Sequence, residues 1–266
     1  MIRGFTARAG RTLTCGFSAF LLLAGADSFA SERQVAVAAA ADLQFAMDDI
    51  VKEFTKARPE LTVQVTYGSS GNFFSQLSNG APFDVFLSAD VDYTRQLAAH
   101  GLTVPDSEFL YAIGRIVVWV PDSSKLDLSR GVQGLRDPSV RKIAIANPRH
   151  APYGRAAEAA LKALGVYSEV ESKLVFGENV SQAAQFVLSG AADAGIIALS
   201  LATAPTLAAK GRFFAIPLDS YPRMEQGGVI LKSAPDASAA RAFRDFILGR
   251  EARAVLARYG FSLPEH

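Results

Sequence analysis

The sequence predicts an α/β protein with mostly parallel sheets. Short apolar runs of strand length alternate with segments whose apolar residues recur at helical spacing, and small or hydroxyl-bearing residues occupy the junctions between them. At 266 residues, half of them hydrophobic and a fifth charged, the chain is globular rather than fibrous or disordered. That length suffices for one large domain or two lobes with separate cores, without disulfide support.

In chain order, residues 1–30 come first and read as a secretory signal peptide. Arg3, Arg8 and Arg11 precede any acid, an uncharged stretch from Cys15 to Ala26 holds Phe17, Phe20, Leu21, Leu22 and Leu23, and Ser28-Phe29-Ala30 places small residues before Ser31, so cleavage is expected after Ala30. Cys15 leaves with this segment, so the exported chain has no thiol and no disulfide. The Gram-negative periplasm is the compartment this implies.

Val35 to Ala40 then forms a continuous apolar run suited to a buried parallel strand, followed by Leu43, Met47, Ile50, Val51 and Phe54 at helical spacing. Leu61, Val63, Val65 and Tyr67 alternate as a second strand, and Phe73, Phe74 and Leu77 open a helix. Val85 to Leu87 is a third strand, with a helix around residues 92–99, and Ile116 to Val120 a fourth. Ile143 to Ala146 is a strand leading to a helix through Ala156, Ala160, Leu161 and Leu164, ended by Gly165. Leu174 to Phe176 is another, leading to a helix through Ala183, Ala184, Val187 and Leu188. Strands at 195–198, 213–216 and 229–231 and helices at 237–248 and 251–259 close the chain.

The 27 basic and 26 acidic residues are balanced and form no basic run, which argues against a nucleic-acid surface. Paired histidines and cysteines at metal-ligand spacing are absent from the sequence, so no bare cation site and no cofactor are expected.

In open parallel sheets ligands sit beyond the carboxyl ends of the strands, where helices begin. Four such junctions, Ala41-Asp42, Ser69-Ser70-Gly71, Pro152-Tyr153-Gly154 and Asn179-Val180-Ser181, contain no Lys or Arg. Helix N-termini expose free N–H groups and a positive dipole end, so their convergence would form a site for a small oxyanion without cationic side chains. Each residue also has a structural alternative. Ser70 and Asp42 suit helix N-caps, Tyr153 suits packing at a helix start, and Val180 suits a buried first turn. A serine hydrolase using Ser70 and His150 is the competing reading from another class. Gly68-Ser69-Ser70-Gly71-Asn72 approaches the nucleophile elbow G-x-S-x-G, but Asn72 stands at the second glycine.

The segments Val35 to Leu43, Tyr67 to Asn72, Gly80 to Asp90, Tyr111 to Gly114, Asn147 to Gly154, Gly177 to Val180 and Tyr259 to Phe261 together resemble the periplasmic molybdate-binding proteins of ABC transporters, the ModA family of type II periplasmic binding proteins. The resemblance implies two lobes, each a mostly parallel sheet flanked by helices, with the ligand in the interlobe cleft. Lobe 1 would comprise 31–113 plus 222–266, and lobe 2 residues 114–221. Carried over by position, the ligand-binding set is Ala41, Asp42, Ser70, Tyr153 and Val180, holding molybdate or tungstate through neutral donors. A membrane permease and its ATPase are the implied partners, and a monomer the implied state. Two departures stand out. Many members carry a hydroxyl residue at the first junction, where this chain has Ala41-Asp42 and must rely on backbone N–H. Others use a tyrosine where this chain has Ala198, and Tyr153 would supply that hydroxyl from the facing junction. Sulfate or phosphate remains an alternative ligand.

Overall fold

The computed structural model describes residues 33–265; the segment expected to be a signal peptide, with Cys15 and the expected cleavage after Ala30, and His266 lie outside the described residues. The apolar run near the start becomes β1 (Arg33–Ala40), which pairs in parallel with β2 (Leu61–Gly68) on one side and β3 (Val85–Ser88) on the other. Between β1 and β2, α1 (Gln44–Ala57) turns Met47, Ile50 and Phe54 onto the sheet. The next two connections are α2 (Ser70–Ser78) and α3 (Val91–Ala99). The chain then forms β4 (Phe109–Gly114), passes Arg115 and enters a second sheet as β5 (Ile116–Pro121).

That second sheet is assembled from β6 (Ile143–Ala146), α4 (Pro152–Ala163), α5 (Tyr167–Val170), β7 (Leu174–Gly177), α6 (Val180–Leu188) and β8 (Ala194–Ala198). Two single-turn helices, α7 (Leu199–Ala202) and α8 (Pro205–Ala208), lead to β9 (Gly211–Ala215). The chain then returns to the first sheet as β10 (Met224–Ile230) and ends with α9 (Ala237–Leu248) and α10 (Arg250–Arg258). The strand orders are β2-β1-β3-β10-β4 and β7-β6-β8-β5-β9.

Each sheet has a parallel trio at one side, as the alternating pattern predicts, completed by antiparallel strands at the other: β10 against β3 and β4, and β5 against β8 and β9. The antiparallel strands are those that carry the chain between sheets, so they enter from the opposite end. Phe54, Phe243 and Phe246 meet edge to face under the first sheet, at centroid distances of 5.1 and 5.3 Å from Phe54. Trp119 is fully buried in the core of the second.

β4 and the short α5, α7 and α8 have no counterpart among the elements expected from apolar patterning, and β10 begins at Met224 rather than Val229. Gly227 and Gly228 hide the strand because they carry no apolar side chain. The fold needs that absence at Gly228, where a Cβ would stand 2.4 Å from the ring of Phe109 on the neighbouring strand.

Candidate functional site

A small pocket lies where the two sheets point their β1, β2, β6 and β7 carboxyl ends at one another. It is lined by residues that include Ala41, Asp42, Ser70, Ala89, Tyr153 and Val180, so the structure brings all five sequence-predicted site residues together. Its cavity volume of about 10 Å³ is far below that of cavities that take organic ligands. Among the described residues no Lys, Arg or His lines it.

Three α-helices and one 3₁₀ turn start at its wall. The turn Ala41–Leu43 leads into α1, and α2, α4 and α6 begin at Ser70, Pro152 and Val180. These helices start at the junction residues themselves, several positions before their first apolar repeat. Pro152 is suited to a first helical position, and Asn179 caps α6 by accepting from the Gln182 N–H at 3.0 Å. First-turn N–H groups have no partner within their own helix, so this arrangement concentrates donors and positive dipole ends on one small volume.

Ser70 is fully buried, and its Oγ accepts from the Ala89 N–H at 2.9 Å. That contact leaves the hydroxyl proton available to donate into the pocket. Ser70 is therefore not the N-cap of α2; Ser69 holds that position and makes no side-chain cap. Tyr153 and Val180 are buried at the first turns of α4 and α6.

Asp42 departs most from expectation. As an N-cap its carboxylate would accept from the turn that follows; instead it lies inside the 3₁₀ turn and caps nothing. The side chain is 1% exposed, and its Oδ2 accepts from Gln226 Nε2 at 2.7 Å and from the Tyr153 hydroxyl at 2.9 Å. The Ser200 hydroxyl donates to its main-chain carbonyl at 2.7 Å. Oδ1 is buried with no hydrogen-bond partner among the described residues. Burial pushes the Asp42 carboxyl up to about 6, against the opposing effect of the Gln226 and Tyr153 donors. Burial and the adjacent Asp42 raise the Tyr153 phenol well above its ordinary range, so it remains a donor through neutral pH.

Gln226 is the residue that sequence reasoning missed. It is fully buried in β10 and touches both Asp42 and Tyr153, the latter at 3.1 Å. Its only signal in the sequence is a lone amide between Met224 and an apolar strand end.

Around the pocket the lobes are fastened directly. The Gly71 N–H donates to the His150 carbonyl at 2.9 Å, and Asn72 donates to Glu178. On another side Arg155 pairs with Asp90 at 2.5 Å and donates to the Tyr93 hydroxyl at 3.2 Å. The structure does not form the Ser70–His150 pair that a hydrolase would need; His150 Nδ1 lies 3.0 Å from Ser69 Oγ, and Ser70 is turned to Ala89. Among the described residues no group of three or more His, Cys, Asp or Glu is placed to hold a metal ion. None of the described helices is long and apolar enough to cross a membrane.

Comparison with known proteins agrees with this geometry. Residues 35–262 match the family model described as bacterial extracellular solute-binding protein. The molybdate-binding protein ModA of Rhodobacter capsulatus is 36% identical over 251 residues, covering 94% of this chain and 97% of that protein. ModA of Azotobacter vinelandii is 38% identical over 234 residues, covering 88% and 92%. The solved structure of the Azotobacter vinelandii periplasmic molybdate-binding protein superposes with a TM-score of 0.82 at 32% identity, covering 87% of this chain and all of that one. With two sheets bridged by crossing strands, a pocket ringed by helix N-termini and matches of this extent, the chain belongs to the bacterial extracellular solute-binding proteins, in the ModA family of molybdate-binding proteins.

Proposed function

We propose that this protein is the periplasmic substrate-binding component of a molybdate importer of the ABC type, and that it takes tungstate as well. The observation that carries the proposal is the convergence of four helix beginnings on one small pocket with no cationic side chain on its wall. A tetrahedral dianion suits such a site, since its oxygens can meet backbone N–H groups and the Ser70 hydroxyl, whereas the Tyr153 hydroxyl proton, expected from the sequence to reach the anion, is given to Asp42 Oδ2 instead. Ala41, Asp42, Ser70, Tyr153 and Val180 are the contact set, with Gln226 holding Asp42 and Tyr153 in place.

Binding closes the two lobes on the anion, and the closed form is what a permease and its ATPase would receive. Because the donors belong to rigid backbone, sulfate is discriminated by size rather than charge. Neutral donors also ease release, because no buried salt bridge has to be broken. The protein acts by binding, with no chemical step at the site.

A second oxyanion is favoured by one observation. The Asp42 carboxylate is an acceptor, and an acceptor suits an anion that carries its own proton, such as hydrogen phosphate. Isothermal titration of protein freed of ligand by unfolding and refolding, with molybdate, tungstate, sulfate and phosphate in turn, separates these cases. Tight one-to-one binding of molybdate and tungstate with no heat from sulfate is expected. Heat from phosphate alone would keep the site and replace the ligand.

A further inference from the structure

A dianion held beside the Asp42 carboxylate meets a negative charge that no cation on the wall compensates. Oδ2 is already bound by Gln226 and Tyr153, and Oδ1 is buried without a partner on a residue that lines the pocket. We infer that capture of the oxyanion is coupled to uptake of one proton, which bridges Asp42 Oδ1 and an oxygen of the bound anion. The inference rests on the oxyanion reading above.

The balance is simple. Ionised Asp42, one oxyanion dianion and one proton from solvent give a complex whose net charge at the site is −2 rather than −3. Asp42 thereby changes from a repelling acceptor into an O–H donor.

The surroundings leave Asp42 as the group that can take this proton. From α4 it faces the Tyr153 phenol, and from β4 the Tyr111 phenol, whose hydroxyl donates to the Ser88 carbonyl at 3.0 Å. Burial and the charge of Asp42 hold both phenols well above their ordinary range, so both are protonated throughout the neutral region. From β10 it faces the neutral Gln226 amide, and from α7 the Ser200 hydroxyl on its main-chain carbonyl. α2 and α6 present Ser70 and Val180 to the same pocket. His150 stands behind Ser69, outside the wall, paired with Glu178 at 3.7 Å. With an Asp42 carboxyl at about 6 before binding, the group is ionised at pH 7.5 and must gain its proton on binding.

The test is calorimetry with sodium molybdate at pH 7.5 in two buffers of different ionisation enthalpy, followed by Kd from pH 6 to 8.5. The wild type is expected to take up close to one proton per molybdate, and its Kd to rise about tenfold per pH unit above 7. Asp42→Asn, a neutral isostere, is expected to bind with no proton uptake and a flat pH profile. His150→Gln is expected to keep both the uptake and the slope. A wild type that binds molybdate with no proton uptake and a flat Kd overturns the inference while leaving the ligand assignment intact. Loss of the uptake in His150→Gln moves the proton to the rim imidazole and also overturns it. No molybdate heat from the wild type removes the ligand assignment, and the inference with it. The wild-type proton count stands on its own if Asp42→Asn does not fold.

Discussion

The interior of the pocket and its rim join the same two lobes by opposite chemistry. Inside, the joining contacts are buried and cation-free: Tyr153 to Asp42, Gln226 to Tyr153, and Ser200 on the Asp42 carbonyl. At the rim they are polar and partly solvated: Arg155 ion-paired with Asp90, with side chains 40% and 29% exposed, and His150 facing Glu178, at 20% and 58%. Water and salt screen the rim pairs, whereas the interior hydrogen bonds are shielded from both. The interior therefore decides which anion is held, and the rim contributes to how long the lobes stay together.

The sharpest way to break this division is to stop the lobes from meeting without altering the wall. A Cβ at Gly71 would stand 2.5 Å from the His150 carbonyl oxygen and 3.0 Å from its Cα, both backbone atoms across the cleft, and 2.8 Å from the Tyr93 hydroxyl, the movable end of a side chain on its own side. Gly71→Ala should weaken molybdate binding by about 3 kcal/mol, on the order of 100-fold, through overpacking of the closed form. Titration calorimetry reads the loss, and a circular dichroism melt without ligand should change little. An unchanged Kd would mean that the ligand does not require the closed arrangement.

Next in size is the cost of burying Asp42. An unfolded aspartate titrates near 3.8 and the buried one at about 6, so between these values the folded protein holds more protons than the unfolded chain. Stability therefore falls as pH rises from about 4 to 6, and the full penalty persists above that. Two units correspond to between about 2 and 3 kcal/mol. Asp42→Asn should melt higher than wild type at pH 7.5, with the difference vanishing near pH 4. A constant difference across that range would assign the effect to packing rather than charge.

Ser70→Ala follows at about 2 kcal/mol in molybdate affinity, roughly 30-fold, since it removes the hydroxyl proposed to donate to the anion and strands the buried Ala89 N–H. Binding as tight as wild type would take Ser70 out of the contact set.

The same interior-and-rim contrast explains what could be read from the sequence. Ser70, Tyr153 and Val180 were legible because their placement follows from local rules: a strand ends, a helix starts, and the first turn points at whatever lies beyond the sheet. The parallel trios were legible for the same reason, in the alternation of apolar runs and helical spacing. The role of Asp42 was not, since a carboxylate two residues past a strand looks like an N-cap until a distant amide and phenol claim it. Gln226 lies 184 residues from Asp42, on a strand disguised by two glycines, and only the tertiary fold brings the two within hydrogen-bonding distance. The pairing of His150 with Ser69 rather than Ser70 depends on which side of α2 faces the second lobe, and adjacent serines give no local clue to that.

The smallest expected effect lies at the rim and is the most direct check on the division. Arg155 leaves α4 two residues beyond Tyr153 and spans to Asp90, with its guanidinium 5.6 Å from the centre of the Tyr93 ring. Asp90 also caps α3 through the Asp92 N–H, so it stays ordered when its partner is removed. A pair this exposed is worth about 0.5 to 1 kcal/mol. Arg155→Ala should therefore speed molybdate dissociation by about two- to fivefold in stopped-flow displacement by tungstate, with the association rate unchanged. Raising the salt from 50 to 500 mM should bring the wild type toward the variant. A loss approaching that of Ser70→Ala, insensitive to salt, would place Arg155 in the anion's own field and erase the distinction between rim and interior.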